Sequence, residues 1–154
     1  MNRPIFIIGF MGAGKTTLAK ELAKIYKVDH RDSDEEIARN EGISIQDIFH
    51  TYGESYFRNL EKNWLETIDK VPAVISCGGG MPCFHDNILK MKRIGEVIYL
   101  NVSNEELINR VKMDNSRPLL IDKSVDDIIE LKKRREKLYY SMSDRIIYSL
   151  EDLI

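Results

Sequence analysis

The sequence contains little cysteine, no excess of either charge and no long hydrophobic run. Only two cysteines, Cys77 and Cys83, occur in the 154 residues, and they form neither a CxxC pair nor a set with a histidine pair. Zinc binding and dithiol chemistry are therefore disfavoured, and we expect two free thiols. Lysine plus arginine number 23 and aspartate plus glutamate 25, giving a formal net charge of −2. This balance argues against nucleic acid or an anionic membrane as partner and favours a small polar ligand.

Segments that would separate domains or enter a membrane are also lacking. No repeat, low-complexity tract or linker rich in Pro, Gly and Ser interrupts the chain, so we expect a single domain over residues 1–154. The apolar run after residues 1–4 is too short to span a membrane, and it has no signal-peptide cleavage pattern. We therefore expect a cytoplasmic monomer that does not associate with membranes.

Short apolar runs alternate with helical patterns along the chain. Residues 5–8, 73–76 and 97–100 have the composition of strands buried on both faces. The pairs Ser33/Glu36 and Ser103/Glu106 match the capping box that opens a helix, and further helices are predicted over residues 44–50, 54–68, 85–92 and 125–140. This alternation predicts an α/β fold with a parallel sheet of about five strands, helices on both faces and ligands at the carboxyl ends of the strands.

The segment GFMGAGKT, residues 9–16, fits the phosphate-binding pattern GxxxxGK[ST] between the first predicted strand and the first predicted helix. Its glycines allow backbone N–H groups to surround phosphate oxygens, and the helix that follows presents the positive end of its dipole. Lys15 can reach the β- and γ-phosphates, and we expect its side chain to be exposed without ATP. The Thr16 hydroxyl can ligate Mg²⁺.

Two carboxylates occur in Asp32-Ser33-Asp34, where we expect the second of the five strands to end, just ahead of a helix. Helix capping accounts for one acidic side chain at such a position, and less well for two. Beside a phosphate-binding loop, one carboxylate can hold a water on Mg²⁺ while the other accepts a hydrogen bond from the attacking hydroxyl. We therefore interpret the pair as catalytic or substrate-binding.

Charged side chains also fall on the apolar stripes of two predicted helices. Glu61 projects among apolar residues of its helix, where an unpaired carboxylate is costly, and Arg58 lies three residues earlier. Arg135 projects onto the apolar stripe of the last helix, although Lys132 lies near the same stripe. Spacing alone leaves two interpretations open: a surface pair with an arginine reaching out to solvent, or two inward arginines that bind a substrate anion.

A glycine triplet, residues 78–80, follows the third predicted strand and permits close approach of backbone to a ligand. Together with this triplet, six further segments resemble the shikimate kinase family in order and spacing from about residue 5 to 139. These segments are GFMGAGKTT (9–17), DSD (32–34), DIF (47–49), GE with FR and Glu61 (53–61), RPLL (117–120) and Arg135 before LY (138–139).

The resemblance implies a P-loop kinase fold and transfer of a phosphoryl group from ATP to the 3-hydroxyl of shikimate, in the biosynthesis of aromatic amino acids. Asp34 would bind the ring hydroxyls, including the acceptor oxygen. Arg58 and Arg135 would bind the carboxylate, with Glu61 orienting both arginines and the backbone of Gly79 and Gly80 closing the pocket. The substrate-binding helices would lie within residues 33–69.

The remaining implied roles concern ATP, the metal ion and the apolar walls. Thr16 would ligate Mg²⁺ directly, with Asp32 and Ser76 acting through water. Arg117, on a mobile lid over residues 112–124, would stabilise the transition state, and Arg110 would stack on adenine. The phosphates would contact Gly12, Ala13, Gly14, Lys15, Thr16 and Thr17, and the apolar walls would come from Phe49, Phe57, Pro118 and Leu119.

The three histidines, at positions 30, 50 and 85, match nothing catalytic and are expected to be surface or packing residues. The sequence after Tyr148 is shorter than in the family, which predicts a raised KM for ATP and weak discrimination against GTP unless residues 148–154 cover the base. Two alternatives stay open at this stage. One is another small-metabolite kinase, such as a gluconate kinase, and the other is a nucleotide-binding regulatory protein that has lost turnover.

Overall fold

The computed structural model describes residues 1–113 and 124–154. Five parallel strands form one sheet in the order β2-β3-β1-β4-β5, which confirms the predicted α/β class. The central strand β1 pairs on one side with β3, where Ile5 lies opposite Val74, and on the other with β4, where Ile5 lies opposite Glu96. The strand bounds are Ile5–Ile8 for β1, Asp29–Asp32 for β2, Ala73–Ser76 for β3, Glu96–Leu100 for β4 and Arg145–Ile147 for β5.

Helices connect the strands and cover both faces of the sheet. Their bounds are Lys15–Tyr26 for α1, Ser33–Glu41 for α2, Ile45–Tyr52 for α3, Glu54–Glu66 for α4, Asn87–Ile94 for α5, Asn104–Lys112 for α6 and Val125–Met142 for α7. Short 3₁₀ helices lie at Met81–Cys83 and Leu150–Leu153. The predicted helices are confirmed within a few residues at each end. Within the described ranges no helix is long and apolar enough to cross a membrane.

Two apolar cores, one on each face, hold the sheet in place. Alternate residues of β1 supply both, because successive side chains of a strand point to opposite faces. Ile5 and Ile7 pack with α1, and Phe6 and Ile8 pack with α4 and α5. Because β1 is buried on both faces, packing fixes the position of the strand end from which the next loop begins.

The start of α2 differs from the predicted capping box. Asp32, rather than Ser33, is the N-cap, and its Oδ1 accepts a hydrogen bond from the Glu35 N–H at 3.0 Å. Ser33 is instead buried and accepts a hydrogen bond from the Gly78 N–H at 2.9 Å. Glu36 pairs with Arg31 instead of closing the box. The N-terminus of α2 is therefore tied to the glycine triplet, a contact between segments 45 residues apart that local spacing does not reveal.

Candidate active site

The phosphate-binding loop joins β1 to α1 at the carboxyl edge of the sheet. Gly14 caps α1 with a φ of +92°, a conformation that side-chain-bearing residues rarely adopt. The Lys15 ammonium donates hydrogen bonds to the carbonyls of Gly9 and Phe10, at 2.9 and 2.8 Å. Its exposed fraction is 8%, so the prediction that Lys15 is exposed without ATP is wrong. The two carbonyls of the loop take the place of water around the ammonium, so the Lys15 side chain lies against the loop.

Three hydroxyl and carboxyl groups meet next to this loop. Thr16 and Ser76 each donate a hydrogen bond from the hydroxyl to Asp32 Oδ2, both at 2.9 Å. Because the single proton of Ser76 is directed to Asp32, the ring nitrogen Nε2 of His30, 3.1 Å from Ser76 Oγ, is the donor in that contact. His30 is thus a packing residue, as expected, that supports Ser76.

In the described part of the chain no group of three or more His, Cys, Asp or Glu side chains could hold a metal ion.

A cavity of about 660 Å³ opens from the loop toward α2, α3 and α4, within the size range of small-molecule sites. Most of the predicted site residues line it: Gly12, Gly14, Lys15, Thr16, Thr17, Asp32, Asp34, Phe49, Phe57, Arg58, Gly79 and Arg110. Ala13, Glu61, Gly80 and Arg135 lie outside this lining. The residues predicted to bind phosphate therefore share one continuous space with several of those predicted to bind the substrate.

Arg58 and Glu61 form a buried ion pair on the inner face of α4. Arg58 Nη1 lies 2.7 Å from Glu61 Oε1, and Nη2 lies 3.1 Å from Glu54 Oε2. Glu61 is fully buried and Arg58 nearly so, which rules out the surface-pair interpretation. Burial raises the pKa of Glu61 to about 7, although the positive charge of Arg58 opposes the shift. The ring of Phe84 stacks on the guanidinium, with 4.2 Å between the ring centroid and Cζ.

Arg135 is buried on α7, which favours the interpretation with two inward arginines, and it lies near the same carboxylate. The charges of Arg135, Arg58 and Asp34 all shift the pKa of Glu61. Helices α2, α4 and α7 therefore bring these three groups and Glu61 close together. Arg58 Nε, Glu61 Oε2 and Arg135 Nη1 are buried and find no hydrogen-bond partner among the described residues. Unpartnered buried polar groups are costly, and the two donors among them are suited to an anionic ligand.

The glycine triplet packs directly against these charged side chains. A Cβ atom placed on Gly78 would lie 2.6 Å from Asp34 Oδ1, and one on Gly80 would lie 2.6 Å from Arg58 Nη2. On Gly79 the Cβ would lie 3.2 Å from Met11 Cγ and 3.4 Å from Arg135 Nη1. Only a turn without side chains allows the backbone to approach Asp34 and both arginines this closely.

At the other end of the cavity, Arg110 lies over the phosphate-binding loop. It donates a hydrogen bond from Nη1 to the Gly12 carbonyl at 3.1 Å and forms an ion pair with Glu106. Among the described residues, neither Tyr148 nor residues 150–154 line the cavity. Leu150 and Leu153 pack against the core beside α1 instead.

Several lining residues were absent from the sequence-based prediction. They are Met11, Glu35, Ala38, Ser44, Ile45, Gln46, Cys77 and Gly78. Met11, Cys77 and Gly78 adjoin predicted residues, so proximity along the chain was a usable signal. Ser44 and Gln46 carry no such signal, because they reach the cavity only through the packing of α3 on α4. Arg117, Pro118, Leu119 and most of the predicted lid lie outside the described residues.

A parallel sheet with a GxxxxGKT loop at its carboxyl edge, Thr16 bonded to Asp32 and an adjoining charged cavity define the chain as a P-loop kinase that acts on a small molecule. The sequence model of the shikimate kinase family matches residues 11–152. The chain belongs to the shikimate kinase family.

Individual relatives agree with this assignment. The shikimate kinase of Persephonella marina is 43% identical over 145 residues, which cover 94% of this chain and 88% of the relative. The shikimate kinase of Enterococcus faecalis is 42% identical over 137 residues, covering 88% and 82%. Among solved structures, the shikimate kinase of Acinetobacter baumannii in complex with shikimate aligns with a TM-score of 0.91 at 34% identity and covers 98% of this chain and 88% of that one.

Proposed function

We propose that the cavity beside the phosphate-binding loop binds ATP and shikimate together and transfers the γ-phosphoryl group to the 3-hydroxyl of shikimate. Enzymatic activity as a shikimate kinase follows from membership of the family. The observation that carries the assignment of residues is the placement of Asp34 and the buried Arg58 in one cavity with Lys15 and Thr16. A substrate with a hydroxyl and a carboxylate on one small ring would offer a group to Asp34 and another to Arg58 within this cavity.

At the nucleotide end, backbone N–H groups of the loop and the N-terminus of α1 bind the phosphates. The phosphate oxygens offer the Lys15 ammonium charged acceptors in place of the two loop carbonyls that it now contacts. We assign Arg110 to the adenine base and Arg117 to the transferring phosphoryl group. Lys15 and Arg117 would then neutralise negative charge as it shifts toward the leaving oxygen.

A Mg²⁺ ion fits the hydroxyl and carboxyl groups near the loop. Thr16 donates its proton to Asp32, so the oxygen lone pairs of Thr16 are available to a hard cation, and Asp32 and Ser76 can hold its water ligands. Such an ion, held by Thr16 and through water by Asp32 and Ser76, would supply positive charge that neutralises part of the phosphate charge. The single Asp32 carboxylate is sufficient, because Mg²⁺ in nucleotide sites takes most of its ligands from phosphate and water.

At the acceptor end, Asp34 positions the attacking hydroxyl and accepts its proton, while Arg58 and Arg135 bind the carboxylate. Arg58 Nε and Arg135 Nη1 are buried donors that lack a hydrogen-bond partner among the described residues, so a carboxylate would supply acceptors for both. Glu61 keeps Arg58 in place through the 2.7 Å ion pair. The chemistry is then mainly alignment of the hydroxyl with the γ-phosphate.

A panel of acceptors tests this function. ADP release is measured with ATP and Mg²⁺ in the presence of shikimate, gluconate or no acceptor, for the wild type and Asp34→Asn. The expected result is shikimate-dependent ADP release that Asp34→Asn reduces by about a hundredfold or more, since an amide cannot accept the proton. Equal ADP release with gluconate, or wild-type rates in the folded variant, would contradict the assignment.

A further inference from the structure

Tyr139 carries a buried hydroxyl that the proposed chemistry does not use. It lies one helical turn after Arg135 on α7, and its side chain is fully buried. The hydroxyl donates a hydrogen bond to the carbonyl of Gly79, and the ring packs against Tyr99 with 5.0 Å between centroids. Burial raises the pKa of Tyr139 well above its ordinary value, so the hydroxyl stays protonated and remains a donor.

The glycine triplet is held from two sides. On one side Ser33, the neighbour of Asp34, accepts the N–H of Gly78 at 2.9 Å. On the other side Tyr139 donates to the carbonyl of Gly79. Each of the two anchors therefore belongs to a helix that carries a proposed substrate-binding residue, α2 with Asp34 and α7 with Arg135.

The Tyr139 hydrogen bond also fixes the direction of the next amide. The Gly79 carbonyl and the Gly80 N–H belong to one planar trans peptide, in which the two groups point in opposite directions. Holding the carbonyl toward α7 therefore turns the Gly80 N–H away from α7. Gly80 lies against the guanidinium of Arg58, since a Cβ there would be 2.6 Å from Nη2.

We propose that Tyr139 is a positioning residue for recognition of the substrate carboxylate: it holds the Gly79–Gly80 peptide against the Arg58 guanidinium and so fixes the position from which Arg58 faces the anion. This inference rests on the proposed function, because it takes the carboxylate of shikimate as that anion. Tyr139 itself does not line the cavity and has no role in the transfer step.

Removal of the hydroxyl tests the proposal, with a matched control in the ring that stacks on it. In Tyr139→Phe the ring packing stays, and the hydroxyl is lost together with its hydrogen bond to Gly79 and its contact with the Cys83 thiol. In Tyr99→Phe a hydroxyl is likewise lost from the same aromatic pair, but that hydroxyl contacts Asn101 at 3.3 Å and not the glycine triplet. For each variant we would measure KM for shikimate, KM for ATP, kcat and the melting temperature.

The expected result is a KM for shikimate about three- to tenfold higher in Tyr139→Phe, in line with the loss of one hydrogen bond. The KM for ATP should be unchanged, and Tyr99→Phe should keep both values. An unchanged KM for shikimate in Tyr139→Phe would overturn the proposal, whatever happens to the melting temperature. Absence of shikimate-dependent turnover in the wild type would instead reject the proposed function, so the two failures are distinct.

A measurement on the wild type keeps the proposal testable if Tyr139→Phe does not fold. The protein is labelled with ¹⁵N-glycine, and its amide signals are followed by NMR while shikimate is added. The Gly80 signal should move on binding, whereas Gly95, which lies between α5 and β4, should not. Binding of shikimate without a change at Gly80 would overturn the proposal.

Discussion

Arg58 is the residue at which packing and proposed chemistry are most closely joined. Its guanidinium is buried, pairs with Glu61 and Glu54, and stacks on Phe84. A planar fork with five donors can make these contacts and still bind a carboxylate, whereas an ammonium group cannot. We therefore expect the identity of this residue, and not only its charge, to matter.

Arg58→Lys should raise the KM for shikimate about tenfold or more and leave the KM for ATP nearly unchanged. Steady-state kinetics with each substrate varied in turn provide the measurement. Arg145→Lys is the matched control, because Arg145 is largely exposed and pairs with Glu96 on β4. Equal increases in both KM values would show that the substitution damaged the fold rather than the carboxylate site.

Burial of Glu61 makes the stability of the folded chain depend on pH. Its pKa is about 7 in the folded chain, against an ordinary value of 4.5. Between these values the folded state binds more protons than the unfolded state, so this group lowers the stability as the pH rises. Below about pH 4.5 Glu61 is protonated in both states and does not lower the stability. Above about pH 7 it is ionised in both states, and the loss of stability no longer changes with pH.

Urea unfolding of the wild type and Glu61→Gln at pH 5, 6 and 7 measures this contribution. The stability of the wild type relative to Glu61→Gln should fall with rising pH, by up to about 1.4 kcal/mol per pH unit. A relative stability that stays constant from pH 5 to 7 would contradict the raised pKa, and would show that Arg58 holds the pKa of Glu61 at or below its ordinary value. Arg58 remains charged throughout and does not contribute to the slope.

Lys15 has a structural role in addition to its proposed contact with phosphate. Lys15→Met removes the hydrogen bonds to Gly9 and Phe10, so we expect a loss of stability of about 1–2 kcal/mol as well as a fall in kcat of at least about a hundredfold. Lys132→Met is the control, since Lys132 is also buried but bonds to Asn104 at 2.7 Å. A kcat near that of the wild type in folded Lys15→Met would contradict the phosphate assignment.

At the scale of elements, the turn after β3 matters because two helices pack their charged side chains against it. A methyl group on Gly78 meets Asp34, and one on Gly80 meets Arg58. Neither glycine has a positive φ, so the cost of a substitution comes from these contacts and not from the backbone. The two positions therefore separate the hydroxyl and carboxylate ends of the proposed site.

Gly78→Ala should mainly lower kcat, because Asp34 is displaced, whereas Gly80→Ala should mainly raise the KM for shikimate, because Arg58 is displaced. A change of about tenfold in each parameter is expected, since displacement of 1 Å or less disturbs such geometry strongly. The two variants serve as controls for each other in the same kinetic assay. The same effect of both on kcat and KM would mean that the turn acts as one structural unit.

At the scale of the whole molecule, the elements and the phosphate-binding loop could be predicted because their signals are local. Strands of four apolar residues, a glycine-rich loop and helical stripes are all visible in short windows of sequence. The same windows predicted that Glu61 needs a cation, and its ion pair with Arg58 confirms this. The choice between a surface pair and a buried pair could not be made from these windows.

The remaining features depend on contacts between distant segments. The hydrogen bond between Ser33 and Gly78 joins residues 45 apart, and that between Tyr139 and Gly79 joins residues 60 apart. No periodicity in the sequence predicts either of them. The inward fold of Lys15 follows from the carbonyls of its own loop, and only the three-dimensional course of the loop reveals it. Such contacts set the positions of the site side chains relative to one another, which the sequence does not predict.

In the proposed site, one cavity holds a hydroxyl of the substrate near Asp34 and its carboxylate near Arg58 and Arg135. The most direct test compares kcat/KM for shikimate and for its methyl ester, which keeps the hydroxyls and lacks the charge, at saturating ATP and Mg²⁺. We expect phosphorylation of shikimate and a kcat/KM about ten- to a hundredfold lower for the ester, since hydrogen bonds to a charged group are lost. Equal kcat/KM values for the acid and the ester would contradict the proposed site.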